Sequence, residues 1–188
     1  MELSLEEKLI LLEAARNSIT SIFTGQEIPE PDFQKHPVFN SHAGAFVTLT
    51  ENNKLRGCIG YIVSDQPLYQ TVCEAAVHAA QYDPRFHPVS ENELSKISIE
   101  ISVLSEPFPL KSYDEIEIGK HGLILEEKGR RGLLLPQVPV EHHMDREQYL
   151  DAICQKSGFH AKYWRDKQLK FSGFTATVFS EKSLTKVE

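Results

Sequence analysis

An arginine and a cysteine separated by one glycine, Arg56-Gly57-Cys58, lie in an apolar run from Leu55 to Tyr61 that a second glycine, Gly60, interrupts. A guanidinium beside a thiol favours the thiolate, which is the nucleophilic form. Read as a strand, the run alternates, with Arg56, Cys58 and Gly60 on one face and Leu55, Gly57, Ile59 and Tyr61 on the other. Glycine inside a strand weakens it but lets a ligand or another backbone come close. Two readings follow. In one, Gly57 and Gly60 floor a ligand site beside a polarised nucleophile. In the other, Cys58 is a structural thiol in a bulged strand and Arg56 reaches a carboxylate.

Other chemistry-bearing residues cluster in a few stretches. Ile97 to Val103 alternates strictly, so Ser98, Glu100 and Ser102 share a polar face. Glu100 is then the natural partner of Arg56 if that face looks towards Cys58, or a solvent-facing carboxylate if it does not. Asp83-Pro84-Arg85-Phe86-His87-Pro88 is a loop stiffened by two prolines. It is either a corner held by an Asp83–Arg85 pair or a platform delivering Arg85 and His87 to a site. Gln137 is a polar residue constrained between Pro136 and Pro139. Lys128 to Arg131 makes a basic hairpin tip, which suits a solvated turn or an anionic partner. The adjacent pair His142-His143 lacks metal-ligand spacing, so no metal is expected.

The elements that position these residues announce themselves by caps and periodicity. Ser4 to Glu7 is a capping box opening a helix whose apolar stripe runs from Leu5 to Phe23 and stops at Gly25. Ile28 to Pro37 carries three prolines and reads as an extended surface linker. Gly44 to Thr50 and Leu55 to Val63 form a hairpin about Glu51 to Lys54. A helix follows from Pro67 to about Tyr82, with Leu68, Val72, Ala75, Ala76 and Ala79 packed, and Pro84 ends it. Ser90 to Glu93 is a second capping box, predicting a short helix to about Lys96. Glu106 to Pro109 breaks the strand that precedes it. Gly122 to Glu127 and Gly132 to Leu135 read as a hairpin. Asp145 caps a helix over Arg146 to Lys156 with Gly158 as its stop, and Leu169 to Ser180 reads as one last strand bent at Gly173.

Composition sets the outer bounds. The 188 residues suffice for one domain with a sizeable core, and 40% hydrophobic with 25% charged residues is ordinary for a globular chain. A net charge of −7 argues against a general nucleic-acid binder. No run approaches the roughly 18 apolar residues of a membrane span, and the opening residues lack a signal-peptide pattern. Three cysteines without a CxxC suit free thiols in a reducing compartment, so a cytoplasmic location is expected. Interleaved hairpins and short helices without a βαβ rhythm predict an α+β fold. The expected layout is a single domain over 1–188: an N-terminal helix (1–25), a proline-containing linker (26–43), an α+β body (44–180) and a polar tail (181–188).

The hexapeptide Leu55 to Gly60, LRGCIG, also resembles the signature of the AMMECR-type domain, protein A of the AmmeMemoRadiSam system. The likeness continues in order through GAFVTL (Gly44 to Leu49), DPRF (Asp83 to Phe86), PVS (Pro88 to Ser90), ISVLS (Ile101 to Ser105), HGL (His121 to Leu123) and LLPQV (Leu134 to Val138). DREQYL (Asp145 to Leu150) and Trp164 fit as well. The resemblance implies two subdomains, the larger from the N- and C-terminal portions, with the motif residues lining a groove. It also implies partners similar to a Memo-like protein and a radical S-adenosylmethionine protein. This chain has no CxxxCxxC cluster motif and no cofactor of its own is expected. Three functions stay open. One is an enzyme with Cys58 as nucleophile, Arg56 and Glu100 beside it, and His121 or His87 as base. The second is a non-catalytic adaptor or binding component using Gly57, Gly60, Asp83, Arg85 and Gln137 to hold a small molecule or peptide. The third, disfavoured by charge, is a nucleic-acid-associated factor.

Overall fold

The computed structural model describes residues 2–184. In chain order its elements are α1 (Leu5–Thr24), β1 (Ala45–Glu51), β2 (Lys54–Tyr61), α2 (Leu68–Gln81), β3 (Ile97–Leu104), β4 (Phe108–Leu110), β5 (Gly122–Glu127), β6 (Arg130–Leu134), α3 (Gln137–Glu141), α4 (Arg146–Lys156), α5 (Tyr163–Asp166), β7 (Phe171–Phe174), β8 (Ala176–Ser180) and α6 (Glu181–Leu184). The fold is α+β. The chain divides into a larger unit, up to Leu104 and again from Thr177, and a smaller unit, Ser105–Ala176.

The larger unit is a four-stranded sheet in the order β2-β1-β3-β8, with β1 antiparallel to both neighbours. Strict alternation in β1 and β3 sends Val47, Leu49, Ile99 and Ile101 into the core, where α1 and α2 cover them with Leu11, Ile19, Leu68 and Val72. The capping box at Ser4 and Glu7 and the left-handed Gly25 bound α1 where the sequence places them. Arg16 on α1 forks onto Glu181 at 2.6 and 3.0 Å and donates to the Leu94 and Ile97 carbonyls. Glu181 in turn accepts from the Ile99 amide. The start of the expected polar tail is thus helix α6, holding α1 to β3; the tail's residues 185–188 lie outside the described residues.

The proline-containing segment 26–43 stays exposed or half-buried through Lys35 but does more than link. It contains a 3₁₀ turn over Pro37–Asn40, buries Phe39 and His36, and accepts the Tyr69 hydroxyl at the Pro29 carbonyl, 2.6 Å away. Aromatic packing among Phe33, Phe39 and Tyr69 explains the difference, since composition reports the prolines but not what the rings between them touch.

The smaller unit is a second antiparallel sheet in the order β4-β7-β5-β6. Tyr149, Leu150, Ile153 and Cys154 of α4 pack on Leu123, Leu125 and Phe171, and Asp145 caps α4 in a capping box with Gln148. The break expected after the preceding strand is there, since β3 ends at Leu104, and beyond it Phe108–Leu110 forms an edge strand that tolerates Pro109. One expectation changes here. The stretch from Leu169 to Ser180 is two strands, not one: β7 belongs to this sheet and β8 to the other. Gly173 sits under the Phe108 ring, where a Cβ would come within 2.8 Å of it.

Helix α2 lies against β2 with almost no side-chain layer between them. A Cβ on Gly57 would stand 2.2 Å from the Ala79 carbonyl oxygen, and the facing helix positions are alanines. This contact is backbone against backbone, so neither partner can rotate away. Gly57→Ala is therefore expected to cost about 3 kcal/mol. Gly25→Ala, whose left-handed position is open, should cost only about 1 kcal/mol. Denaturant melts of the two variants check this, and equal losses would refute the close packing.

Candidate functional site

Strand β2 is the outer strand of its sheet, bonded to β1 on one side only. Thr48 of β1 stands opposite Cys58 on β2 and opposite Glu100 on β3, so the three share one row on one face. The Thr48 hydroxyl contacts the Cys58 sulfur at 3.3 Å. Two strand spacings, roughly 10 Å, separate the backbones of Cys58 and Glu100.

The unpaired edge of β2 is closed by the Asp83–Arg85 corner. Asp83 Oδ2 accepts the Cys58 amide at 2.9 Å and Arg85 Nη2 at 2.7 Å, while Oδ1 accepts Arg85 Nε at 2.9 Å and the Arg85 amide at 3.1 Å. Arg85 Nη2 also lies 3.4 Å from the Cys58 carbonyl oxygen. One side-chain pair thus serves both backbone groups of Cys58, in place of a neighbouring strand. Asp83 is buried, and its hydrogen bonds from Arg85 hold its carboxyl far below the usual carboxylate range.

Arg56 is the unmatched residue of a β-bulge. Gly57 pairs with Leu49 and Leu55 with Thr50, leaving Arg56 between them without a partner on β1. Its guanidinium goes to Glu93, with Nε 2.6 Å from Oε1 and Nη2 3.3 Å from Oε2, and Nη2 is 3.4 Å from the Pro88 carbonyl. Arg56 pulls the Glu93 carboxyl down to about 2. The Phe86 ring lies between the two arginines, 6.0 Å from the Arg56 guanidinium carbon and 5.5 Å from that of Arg85. Arg56, Pro84, Arg85, Phe86 and His87 line a depression of about 510 Å³.

A sequence model of the AMMECR1 family matches residues 12–179. The chain belongs to the AMMECR1 family. It is 41% identical to a protein of Methanosarcina barkeri over 179 residues, 91% of this chain and 88% of that one. It is 35% identical to a protein of Thermoplasma acidophilum over 189 residues, 97% of this chain and 91% of the relative. Its fold is similar to the crystal structure of an uncharacterised protein from Pyrococcus horikoshii, with a TM-score of 0.83 and 38% identity, covering 92% of this chain and 90% of the other.

In this AMMECR1-family chain the expected Arg56–Glu100 pair does not form: Glu93 is the partner of Arg56. Alternation correctly puts Glu100 on the Cys58 face, but the bulge turns Arg56 towards the loop before β3. Glu93 carries its capping-box role as well, accepting the Ser90 amide at 2.9 Å. Only three residues, Glu91–Glu93, become helical there, as a 3₁₀ turn. Glu93 and Thr48 escaped sequence reasoning. The capping-box spacing flagged Glu93 as a helix signal and hid its second use.

The other expected site residues are placed as follows. Gly57 faces α2 rather than Cys58's side, and Gly60 lies under Phe46, whose ring carbon Cγ would be 2.5 Å from a Cβ. Both glycines therefore accommodate the chain's own backbone and ring. His121 belongs to the smaller unit, buried, with Nδ1 3.1 Å from the Glu115 carbonyl oxygen and 3.2 Å from the Glu117 amide nitrogen. Gln137 opens helix α3, and its Oε1 is buried without a hydrogen-bond partner among the described residues. At the basic tip, Arg130 donates to the Gly158 carbonyl and lies 5.0 Å over the Phe159 ring. Among the described residues no three His, Cys, Asp or Glu side chains group as a metal site would require.

Two outcomes follow. Arg56→Ala strands Glu93 and should cost about 3 kcal/mol while leaving the Cys58 alkylation rate within about twofold of wild type. Glu93 is ionised at lower pH folded than unfolded, so its contribution is complete above its ordinary value of 4.5 and fades as pH falls towards 2. Glu93→Gln should therefore lose stability at neutral pH and show a shallower acid decline between those values. Urea melts across that range, with alkylation rates alongside, decide both. An unaltered stability in Arg56→Ala with slowed alkylation would show that Arg56 acts on the thiol instead.

Proposed function

We propose that this AMMECR1-family chain is a binding component that holds an anionic ligand in the depression between Arg56, Arg85 and His87, beside Cys58. The observation that carries the reading is the pair of guanidinium groups over the Phe86 ring, each locked on one side by its own carboxylate. Neither Nη1 has a protein acceptor among the described residues, and the Arg85 side chain is 55% exposed. Forks fixed in advance lose little freedom on meeting a carboxylate, phosphate or sulfate. Binding is favoured over covalent catalysis because the groups that meet the Cys58 side chain, the Thr48 hydroxyl and the Arg85 charge, include no base, which a nucleophile needs within reach.

A second reading keeps Cys58 as a reactive thiol, and one observation favours it. Cys58 and Cys73 are both half-exposed and Cys154 is buried, and desolvation pushes the thiols of Cys73 and Cys154 up. Limiting alkylation followed by peptide mapping should modify Cys58 first, and preferential labelling of either other cysteine would remove that reading. The resemblance of the motif segments supports a setting beside Memo-like and radical S-adenosylmethionine partners, with any radical chemistry on the partner. Three free cysteines suit a reducing compartment such as the cytoplasm.

The test of the binding reading uses pyrophosphate as probe, followed by amide chemical shifts at low salt. Shifts should centre on residues 84–87, and Arg85→Lys, which loses the fork but keeps the charge beside Asp83, should weaken binding about tenfold. His87→Ala should weaken it several-fold without lowering stability. Binding unchanged in both variants would refute the proposal.

A further inference from the structure

A second concave site lies on the larger unit, between α2 and the start of the 26–43 segment. Its volume is about 440 Å³, within the range of small-molecule sites. Tyr69, Cys73 and Val77 supply its apolar wall, and Glu30, Glu74 and His78 its polar groups. The Tyr69 hydroxyl bonded to the Pro29 carbonyl ties the two walls together.

One rim carries a hydrogen-bonded chain that neither the anion site nor the core packing uses. The Tyr61 hydroxyl donates to Glu74 Oε1 at 2.9 Å and lies 2.9 Å from His78 Nδ1. Because the phenol proton goes to Glu74, His78 offers the Nδ1 proton to the Tyr61 oxygen, which in the neutral imidazole leaves Nε2 as a lone-pair acceptor. Burial, with Glu74 next, pushes the Tyr61 phenol up to about 12, so the phenol keeps its proton at neutral pH. Glu74 Oε2 has no protein donor among the described residues. No lysine or arginine lines the cavity.

We propose that this groove is a binding site for a small organic ammonium with an apolar body, the ammonium set between Glu74, Glu30 and His78 Nε2 and the body along Tyr69, Cys73 and Val77. The charge preference is opposite to that of the arginine-lined depression, so the two sites take different ligands. A cation held by a carboxylate gains a charge-assisted hydrogen bond that a neutral analogue lacks.

The probes are tryptamine, its uncharged analogue tryptophol, and the anionic indolepropionate, tested on the full chain by calorimetry and by the alkylation rate of Cys73. Tryptamine should bind at least about tenfold more tightly than tryptophol, and indolepropionate should not bind. Saturating tryptamine should slow Cys73 alkylation and leave Cys58 unaffected. Glu74→Gln keeps an acceptor for Tyr61 and should erase the preference for tryptamine over tryptophol. Val77→Trp fills the groove and should abolish binding of tryptamine and tryptophol, with a thermal melt confirming that it folds. Equal affinity for the charged and neutral probes, an unprotected Cys73, or undiminished tryptamine binding by either folded variant would overturn the proposal.

Discussion

A buried carboxylate closes the open edge of the sheet, and the arrangement of the site depends on it. Asp83 sits where β2 has no neighbouring strand and accepts the Cys58 amide, the Arg85 amide and the Arg85 guanidinium. An ionised carboxylate with so little exposure is tenable only with this many donors. The proline after Asp83 helps to set the corner, since it ends α2 and turns the chain back along β2. Burying Asp83 therefore fixes Arg85 and positions Phe86, and with it the depression that Arg56 completes from the bulge.

Both arginines are doubly constrained, by a carboxylate and by an aromatic face. Each keeps a guanidinium fork oriented in advance. A guanidinium paired with Glu93 has its field largely neutralised. What the arrangement retains is directional donors held in place by a fork already half used. The polar face of the sheet, with Thr48 between Cys58 and Glu100, lies beside this system and not within it.

The glycines of β2 illustrate how a packing demand can resemble a ligand demand. Both signals are the same in sequence: a missing side chain in a strand. Gly57 has lost its Cβ to the Ala79 carbonyl and Gly60 to the Ala45 carbonyl and to Phe46. The alanine-rich face of α2 makes the first of these close approaches possible, which links the helix's composition to a glycine more than twenty positions earlier.

Local rules determined much of this protein from sequence alone. Capping boxes bound α1 and α4, alternation assigned the buried faces of β1 and β3, and the α+β class followed from their order. The resemblance across many short segments located the family, which the comparisons show. These features are legible because each depends on neighbours a few residues apart. The partner of Arg56, the split between β7 and β8, the burial of His36 and Phe39 and the Tyr61–Glu74–His78 chain were decided only by tertiary structure. Each turns on contact between residues distant in sequence, or on a one-residue bulge that reverses a side chain without any local sign.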